Sequence, residues 1–334
     1  MNVPPLPENH HAVVFSLESG TPLRDRVCRH LGVPPGNHEE RTFEDGEHKI
    51  RPLQAVRERD VFVVESLSGD EALSVNDKVL RTLFFLAALR DAGAERVTLI
   101  APYLCYARKD RRTKPRDPVS LRYLATLFES VGLDRIVTVD VHNPAAYENA
   151  FRIPAEHLTA VPLFVDALAP LIGDREVVVV SPDAGGVKRA EVFRQALSRR
   201  LDQSVELVFI EKFRSEGEVW GGAVVGTVED RVAIILDDLI SSGTTLAGAA
   251  RACRENGAHA SYAAVTHGVF SADASRTIGA SELDRLLLVD TLPVTRLDAD
   301  VRAQRVDVLN VAPLLASAIS RLHTGGSLVE LREG

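Results

Sequence analysis

The sequence predicts an α/β protein of two domains, and three observations carry that expectation. Strand-like apolar runs recur along the 334 residues, several of them apolar nearly throughout rather than alternating, as strands buried on both faces of a parallel sheet are. Helical patterns fall between these runs. The length exceeds one ordinary domain and suits two, each burying its own core.

The strand-like runs are VVFSL (13–17), VFVVES (61–66), RVTLIAPYL (96–104), RIVTVDV (135–141), EVVVVSPD (176–183), VELVFIEKF (205–213), RVAIILDD (231–238) and SYAAVTHGVF (261–270). Helical stretches are NDKVLRTLFFLAALRDAG, ending on Gly93, SLRYLATLFESVG, running from Ser120 to Gly132, and TLAGAARACRENG, ending on Gly257; glycine just past the last turn is a common helix stop. FRIPAEHLTAVPLF (151–164) has two prolines and no clear period. It marks the join, which we place near residue 158, giving domains 1–158 and 159–334.

Composition narrows the function classes. Hydrophobic residues at 45% and charged residues at 26% are near globular averages, which argues against a disordered or fibrous chain. No apolar run approaches the roughly 18 residues of a membrane helix, and MNVPPLPENHH has neither a basic start nor an apolar stretch of secretory type. Cys28, Cys105 and Cys253 are too widely spaced for a disulfide framework or a zinc pattern. A cytoplasmic protein without a membrane partner is expected. The net charge of −8 argues against a general nucleic-acid binder, since such proteins carry a basic surplus. Any basic site must be local.

In open α/β sheets ligands bind beyond the carboxyl ends of strands, so the polar residues there are the site candidates. LDDLISSGTT (236–245) reads as the turn between a buried strand and a helix. It lacks the GxxxxGK[ST] spacing. Backbone N–H groups from Ser241 to Thr245, with the hydroxyls of Ser241, Ser242, Thr244 and Thr245 around Gly243, suit one terminal phosphate at a helix N-terminus. Asp237 and Asp238 beside it would repel a bare phosphate, so they are expected to face vicinal hydroxyls or a metal ion. A sugar phosphate meets both demands; a capped helix with solvated acids is the plainer alternative.

Four further stretches matter. In VVVVSPDAGGVKRA, Asp183 ends a strand, Gly185 and Gly186 allow a tight turn, and a helix begins near Val187; the carboxylate suits Mg²⁺, which takes one or two carboxylates plus phosphate oxygens, although Asp serves equally as a turn former. In VTVDVHNPAAY, Asp140 and His142 share a face if the strand continues. YARKDRRTKPRDP gathers Arg108, Lys109, Arg111, Arg112, Lys114 and Arg116 in a loop marked by Pro115 and Pro118, which suits a polyphosphate that Arg grips bidentately. A solvated charged face is the alternative. VFIEKFRSEGEVWGG places Lys212 and Arg214 on one strand face, followed by a Gly-containing segment able to close as a lid over a transferring phosphoryl group; alone, K-x-R is also an ordinary exposed strand.

Taken together, FSLESG (15–20), RTFEDGE (41–47), YARKDRR (106–112), DVH (140–142), SPDAGGVKRA (181–190), EKFR (211–214), LDDLISSGTT and PLLASAISRLH (313–323) resemble, in order and almost end to end, the ribose-phosphate diphosphokinases, or phosphoribosyl pyrophosphate synthetases. The resemblance implies an α/β fold of two phosphoribosyltransferase-type domains, each with a largely parallel sheet flanked by helices. The first domain would be the ATP side, the second would carry the ribose 5-phosphate loop, and the C-terminal segment would cross back. It implies Mg²⁺-dependent transfer of the diphosphoryl group of ATP to ribose 5-phosphate in a homo-oligomer, dimer-based up to a hexamer, whose active site a neighbouring subunit completes. By motif position Phe43, Asp45 and Glu47 contact the ATP base from that subunit, and Arg108, Lys109, Asp110 and His142 serve ATP. Asp183 and the stretch Asp237, Asp238, Ser241, Ser242, Gly243, Thr244 and Thr245 serve ribose 5-phosphate, and His142 and Asp183 the metal. Lys212, Arg214, Arg108 and His142 would be catalytic. The chain departs from the common pattern at Lys109, Phe213 and Ser241, the last standing where a third Asp is usual. A phosphoribosyltransferase that consumes the same product, and a catalytically silent regulatory homologue, are the alternatives.

Overall fold

The structure is a computed structural model and describes residues 3, 11–215 and 218–333, with side chains described outside 212–222 and 333. Two compact units form: one runs to Leu158 and takes in Val311–Arg332, the other spans Thr159–Asn310.

The first unit contains β1 (Ala12–Phe15), α1 (Thr21–Leu31), β2 (His38–Thr42), β3 (His48–Pro52), β4 (Asp60–Val64), α2 (Val75–Asp91), β5 (Arg96–Ile100), α3 (Ser120–Ser130), β6 (Arg135–Val139), α4 (Pro144–Ala150) and β7 (Ala155–Leu158). Its five-stranded sheet has the order β1-β4-β5-β6-β7 and is parallel throughout. All five residues of β4 are buried, because helices cover both faces and every side chain meets a core. Helix α2 opens on a capping box: Ser74 Oγ accepts the Asp77 N–H at 3.2 Å while the Asp77 carboxylate accepts the Ser74 N–H at 3.0 Å, so two otherwise orphaned donors are satisfied. It closes at Gly93, whose φ of 87° is cheap only for glycine.

The antiparallel β2–β3 hairpin, with Glu40 opposite Ile50, rests on α2. Arg81 donates to Glu40 Oε1 and Thr42 Oγ1, both at 2.9 Å, and His48 stacks on Phe84 at 5.3 Å. Burial raises the Glu40 carboxyl, but His38 at 3.6 Å, the Glu18 N–H and Arg81 outweigh it and hold it at about 2.

The second unit contains α5 (Val161–Ile172), β8 (Val177–Ser181), α6 (Val187–Leu201), β9 (Glu206–Ser215), β10 (Glu218–Val225), β11 (Val232–Ile240), α7 (Thr244–Glu255), β12 (Ala260–Gly268), α8 (Ala274–Gly279), β13 (Arg285–Val289), α9 (Ala299–Arg305) and β14 (Val306–Leu309). Its seven-stranded sheet has the order β10-β9-β8-β11-β12-β13-β14; only the edge strand β10 is antiparallel. The chain returns to the first unit as α10 (Ala312–Thr324) and α11 (Val329–Glu333). Helix α10 lies on α1 and buries Leu314, Leu315 and Ile319 completely. His323 Nδ1 stands 2.8 Å from Asp60 Oδ2, and Arg96 pairs with the same buried carboxylate.

Three sequence expectations need correction. LDDLISSGTT is not all turn: β11 continues through Asp237 and Asp238 to Ile240, pairing Asp237 with Val265 and Leu239 with His267, so the turn shrinks to Ser241–Gly243. The strand bearing Asp140 stops at Val139, and Asp140 takes φ 40°; the shared strand face with His142 is therefore lost. The Gly-containing segment after Arg214, read without a strand of its own, forms β10 from Glu218, laddered to β9 with a register shift between Trp220 and Gly222. The hairpin, β7, β10, β13 and β14 were not anticipated as strands.

Candidate active site

The sheet of the second unit reverses direction between β8 and β11: from β8 the chain proceeds outward through β9 to β10, whereas β11 leads the other way to β14. Loops diverge at such a switch point and leave a crevice beyond the strand ends. The two loops there are the ones that carry Asp183 and Ser241–Thr245.

After β8, Ser181 Oγ donates to the Asp183 carbonyl at 2.7 Å, and Asp183 Oδ1 accepts the Gly186 N–H at 3.1 Å, closing the short 3-10 turn Ala184–Gly186. Gly186 is required here for close approach: a Cβ would lie 2.8 Å from Ser181 Oγ. Helix α6 then starts at Val187. The half-buried Asp183 thus acts as a turn former, capping the turn in a loop at the crevice.

Arg189, in the first turn of α6, stands 3.1 Å from Asp238 Oδ1 and 3.5 Å from Asp237 Oδ1. Sequence reading passed over it. A cation in the first turn opposes the helix dipole and wants a nearby carboxylate, a signal that pairs it with an acidic strand end. Burial first, then the charge of the buried Asp238, pushes the Asp237 carboxyl well above the usual carboxylate range, with Arg189 acting the other way.

After β11, Gly243 takes φ 81° as the N-cap of α7. The Ser242 and Thr244 hydroxyls lie 3.0 Å apart, and the Thr244 N–H donates to Ser242 Oγ at 3.4 Å; Gly243, as N-cap, has no side chain to cap the N–H groups that follow. Thus one short arc of strand end and helix start presents paired acids, then hydroxyls and amides.

In the first unit, β5 and β6 are neighbours, so their following loops meet. The Asn143 side-chain amide donates to Asp110 Oδ2 at 2.6 Å, which ties the Arg108–Asp110 stretch to His142. Arg108, Lys109 and His142 are exposed, Asp110 half-buried. Tyr106, at φ 59°, donates its hydroxyl to Asn76 Oδ1 at 2.5 Å. Phe43, Asp45 and Glu47 occupy the exposed tip of the β2–β3 hairpin, closed by Phe43 N–H to Glu47 O at 2.7 Å and Glu47 N–H to Asp45 Oδ1 at 3.0 Å; Arg41 lies over the Phe43 ring at 5.0 Å. The backbones of Lys212 and Arg214 lie in β9 opposite Gly222 and Val219, and their side chains lie outside the described residues.

No cluster of three or more His, Cys, Asp or Glu suited to a metal occurs among the described residues, and no described helix is long and apolar enough to cross a membrane. All three cysteines are buried; burial pushes their thiols up to about 11 for Cys28 and Cys253 and about 12 for Cys105, which leaves little thiolate for nucleophilic work.

Two α/β units with largely parallel sheets, one with hydroxyls and a helix start beside paired acids at its switch point, define a protein of the phosphoribosyltransferase-type fold. Residues 12–132 match the N-terminal domain of ribose phosphate pyrophosphokinase, and 218–332 the phosphoribosyl synthetase-associated domain. The chain belongs to the ribose-phosphate pyrophosphokinase family: it is 37% identical over 319 residues to the ribose-phosphate pyrophosphokinase of Hyphomonas neptunium, covering 95% of this chain and 98% of that one. It is 34% identical over 320 residues to that of Deinococcus radiodurans, covering 96% and 97%. The crystal structure of phosphoribosylpyrophosphate synthetase from Mycobacterium smegmatis superposes with a TM-score of 0.85 at 34% identity, over 94% of this chain and 99% of the other.

Proposed function

We propose that this protein transfers the diphosphoryl group of ATP to the anomeric hydroxyl of ribose 5-phosphate, giving 5-phosphoribosyl 1-pyrophosphate and AMP. The observation that carries the reading is the arc from Asp237 to Thr245 at the switch point. Its amides and hydroxyls hold the 5-phosphate, each hydrogen bond to the dianion being worth about 1.5–3 kcal/mol, while Asp237 and Asp238 exchange their contact with Arg189 for the vicinal ribose hydroxyls. Family membership supports the same substrates.

Attack on the β-phosphorus asks for in-line placement and charge neutralisation rather than a covalent protein intermediate. Arg108 and Lys109 hold the ATP phosphates beside His142, and Phe43, Asp45 and Glu47, exposed on their hairpin, reach the base of an ATP bound to a neighbouring copy. Lys212 and Arg214 stabilise the transferring group. A Mg²⁺ donor set of one or two carboxylates plus phosphate oxygens fits Asp183, half-buried in the loop after β8; the ion, when bound, would neutralise phosphate charge. The protein acts as a homo-oligomer, which sizing by light scattering checks.

Purified protein supplied with Mg-ATP is expected to form AMP only when ribose 5-phosphate is present. AMP formation that ignores the sugar, or none at all, sinks the reading.

A further inference from the structure

We propose that Asp110 is a positioning residue, whose carboxylate holds the Arg108 loop against the His142 loop through Asn143 and makes no contact with phosphate. The inference rests on the reading of Arg108 and His142 as the ATP-facing groups, and it takes Asp110 out of the contacting set that motif position assigns it to.

The geometry of Asn143 forces the assignment. Its Oδ1 accepts the Ala146 N–H at 3.2 Å and caps α4, while its Nδ2 donates to Asp110 Oδ2 at 2.6 Å. Turning the amide over would set its NH₂ against the helix N–H, so residue 110 must offer an acceptor. Helix α4 is itself seated: fully buried Tyr147 places its hydroxyl 3.2 Å from the Ile136 carbonyl and 3.3 Å from that of Glu156. Asp110 is thereby fastened to β6 and β7. On the other side of Arg108, the Tyr106 hydroxyl binds Asn76, and the Lys109 N–H donates to the Tyr106 carbonyl at 2.9 Å. Arg108 and Lys109 sit between two anchors. A carboxylate facing a polyphosphate would repel it; this one faces an amide, so the loop keeps its cations for the phosphates.

The chemistry of the pair supplies its own test. Asn143→Asp still caps α4 but sets two carboxylates face to face; adding Asp110→Asn restores a donor and an acceptor with the partners exchanged. A misplaced binding loop costs on the order of 100-fold in kcat/KM. For ATP, Asn143→Asp and Asp110→Ala are therefore expected to lose about that much, while KM for ribose 5-phosphate stays within about twofold. The exchanged double variant and Asp110→Asn, which keeps an acceptor at residue 110, are expected within about threefold of wild type. Amide hydrogen exchange over residues 106–117 gives a second readout that needs no turnover: it should quicken by about tenfold in Asn143→Asp and recover in the double variant. The proposal is overturned if Asp110→Asn is as damaged as Asp110→Ala, if the double variant is no better than Asn143→Asp, or if exchange is the same in all. Should the wild type form no AMP, the exchange data still decide the clamp, and the reaction is what must be withdrawn.

Discussion

Glu65 follows the last residue of β4 and is 1% exposed, accepting the Leu17 N–H at 3.1 Å and the Ser19 hydroxyl at 2.8 Å. Burial pushes its carboxyl up to about 7, against the pull of Ser19, Lys78 and the Leu17 N–H. The folded state therefore holds a proton that the unfolded chain releases near pH 4.5, so the stability this group contributes is complete below about 4.5 and is lost as pH rises through about 7. Glu65→Gln, which imitates the protonated form, should remove that slope and gain about 3 kcal/mol at pH 8 relative to wild type. Denaturant unfolding from pH 5 to 8 checks it; parallel profiles for the two proteins would rule it out. Lys212→Ala is expected to lower turnover by about 10³ with little change in KM for ribose 5-phosphate, as for a group that acts mainly in the transition state; equal losses in both would make it a ground-state ligand. Acids at strand ends were legible as single letters because such ends are where ligands gather. Arg189 and the Asn143–Asp110 pair were not, since each acquires its role only when two loops distant in sequence are brought together.

The β2–β3 hairpin depends on one cation. Arg81 is 9% exposed and binds Glu40 and Thr42. Removing it leaves the Glu40 carboxylate buried with less compensation, at a cost of about 3–4 kcal/mol. Arg81→Ala should accordingly lose hydrogen-exchange protection across residues 38–52 and raise KM for ATP more than KM for ribose 5-phosphate; unchanged protection would mean that Phe84 stacking alone holds the hairpin. The hairpin also shows where sequence reading stops. HEERT and HKIRP have no apolar alternation, because this element packs by ion pairs and ring stacking instead of burying one clean face. AEHL of β7 buries only Leu158 fully, as an edge strand with one neighbour, and its flanking prolines read as a join. By contrast α6 begins at Val187 and α7 ends at Glu255, close to their expected places, since glycine punctuation and helical period agreed.

Across the whole molecule, α10 ties the C-terminal segment to the first unit's sheet. Ending the chain at Asn310 would uncover α1, expose the sites of Leu314, Leu315 and Ile319, each worth about 1.5–3 kcal/mol when buried, and remove His323 from Asp60. Such a truncation is expected to abolish exchange protection in β1, β4 and α1 while β11 to β13 keep theirs; uniform protection would show that α10 is dispensable. The sequence order conveyed two domains and a parallel plan, because both follow from local period and length. Local pattern could not convey that the first unit is discontinuous, because docking of α10 on α1 is a long-range contact; that expectation rests only on the family resemblance.

That discontinuity matters for a chain made in one direction. The first unit leaves the ribosome with α1 uncovered and waits for the 152 residues from Thr159 to Asn310 before α10 arrives, a delay of roughly 10–30 s at ordinary synthesis rates. The second unit, although made later, is contiguous and can finish first. A nascent chain of this architecture needs shelter at its oldest end, and a stop codon lost or gained near the 3′ end of its message would be felt in the part translated first.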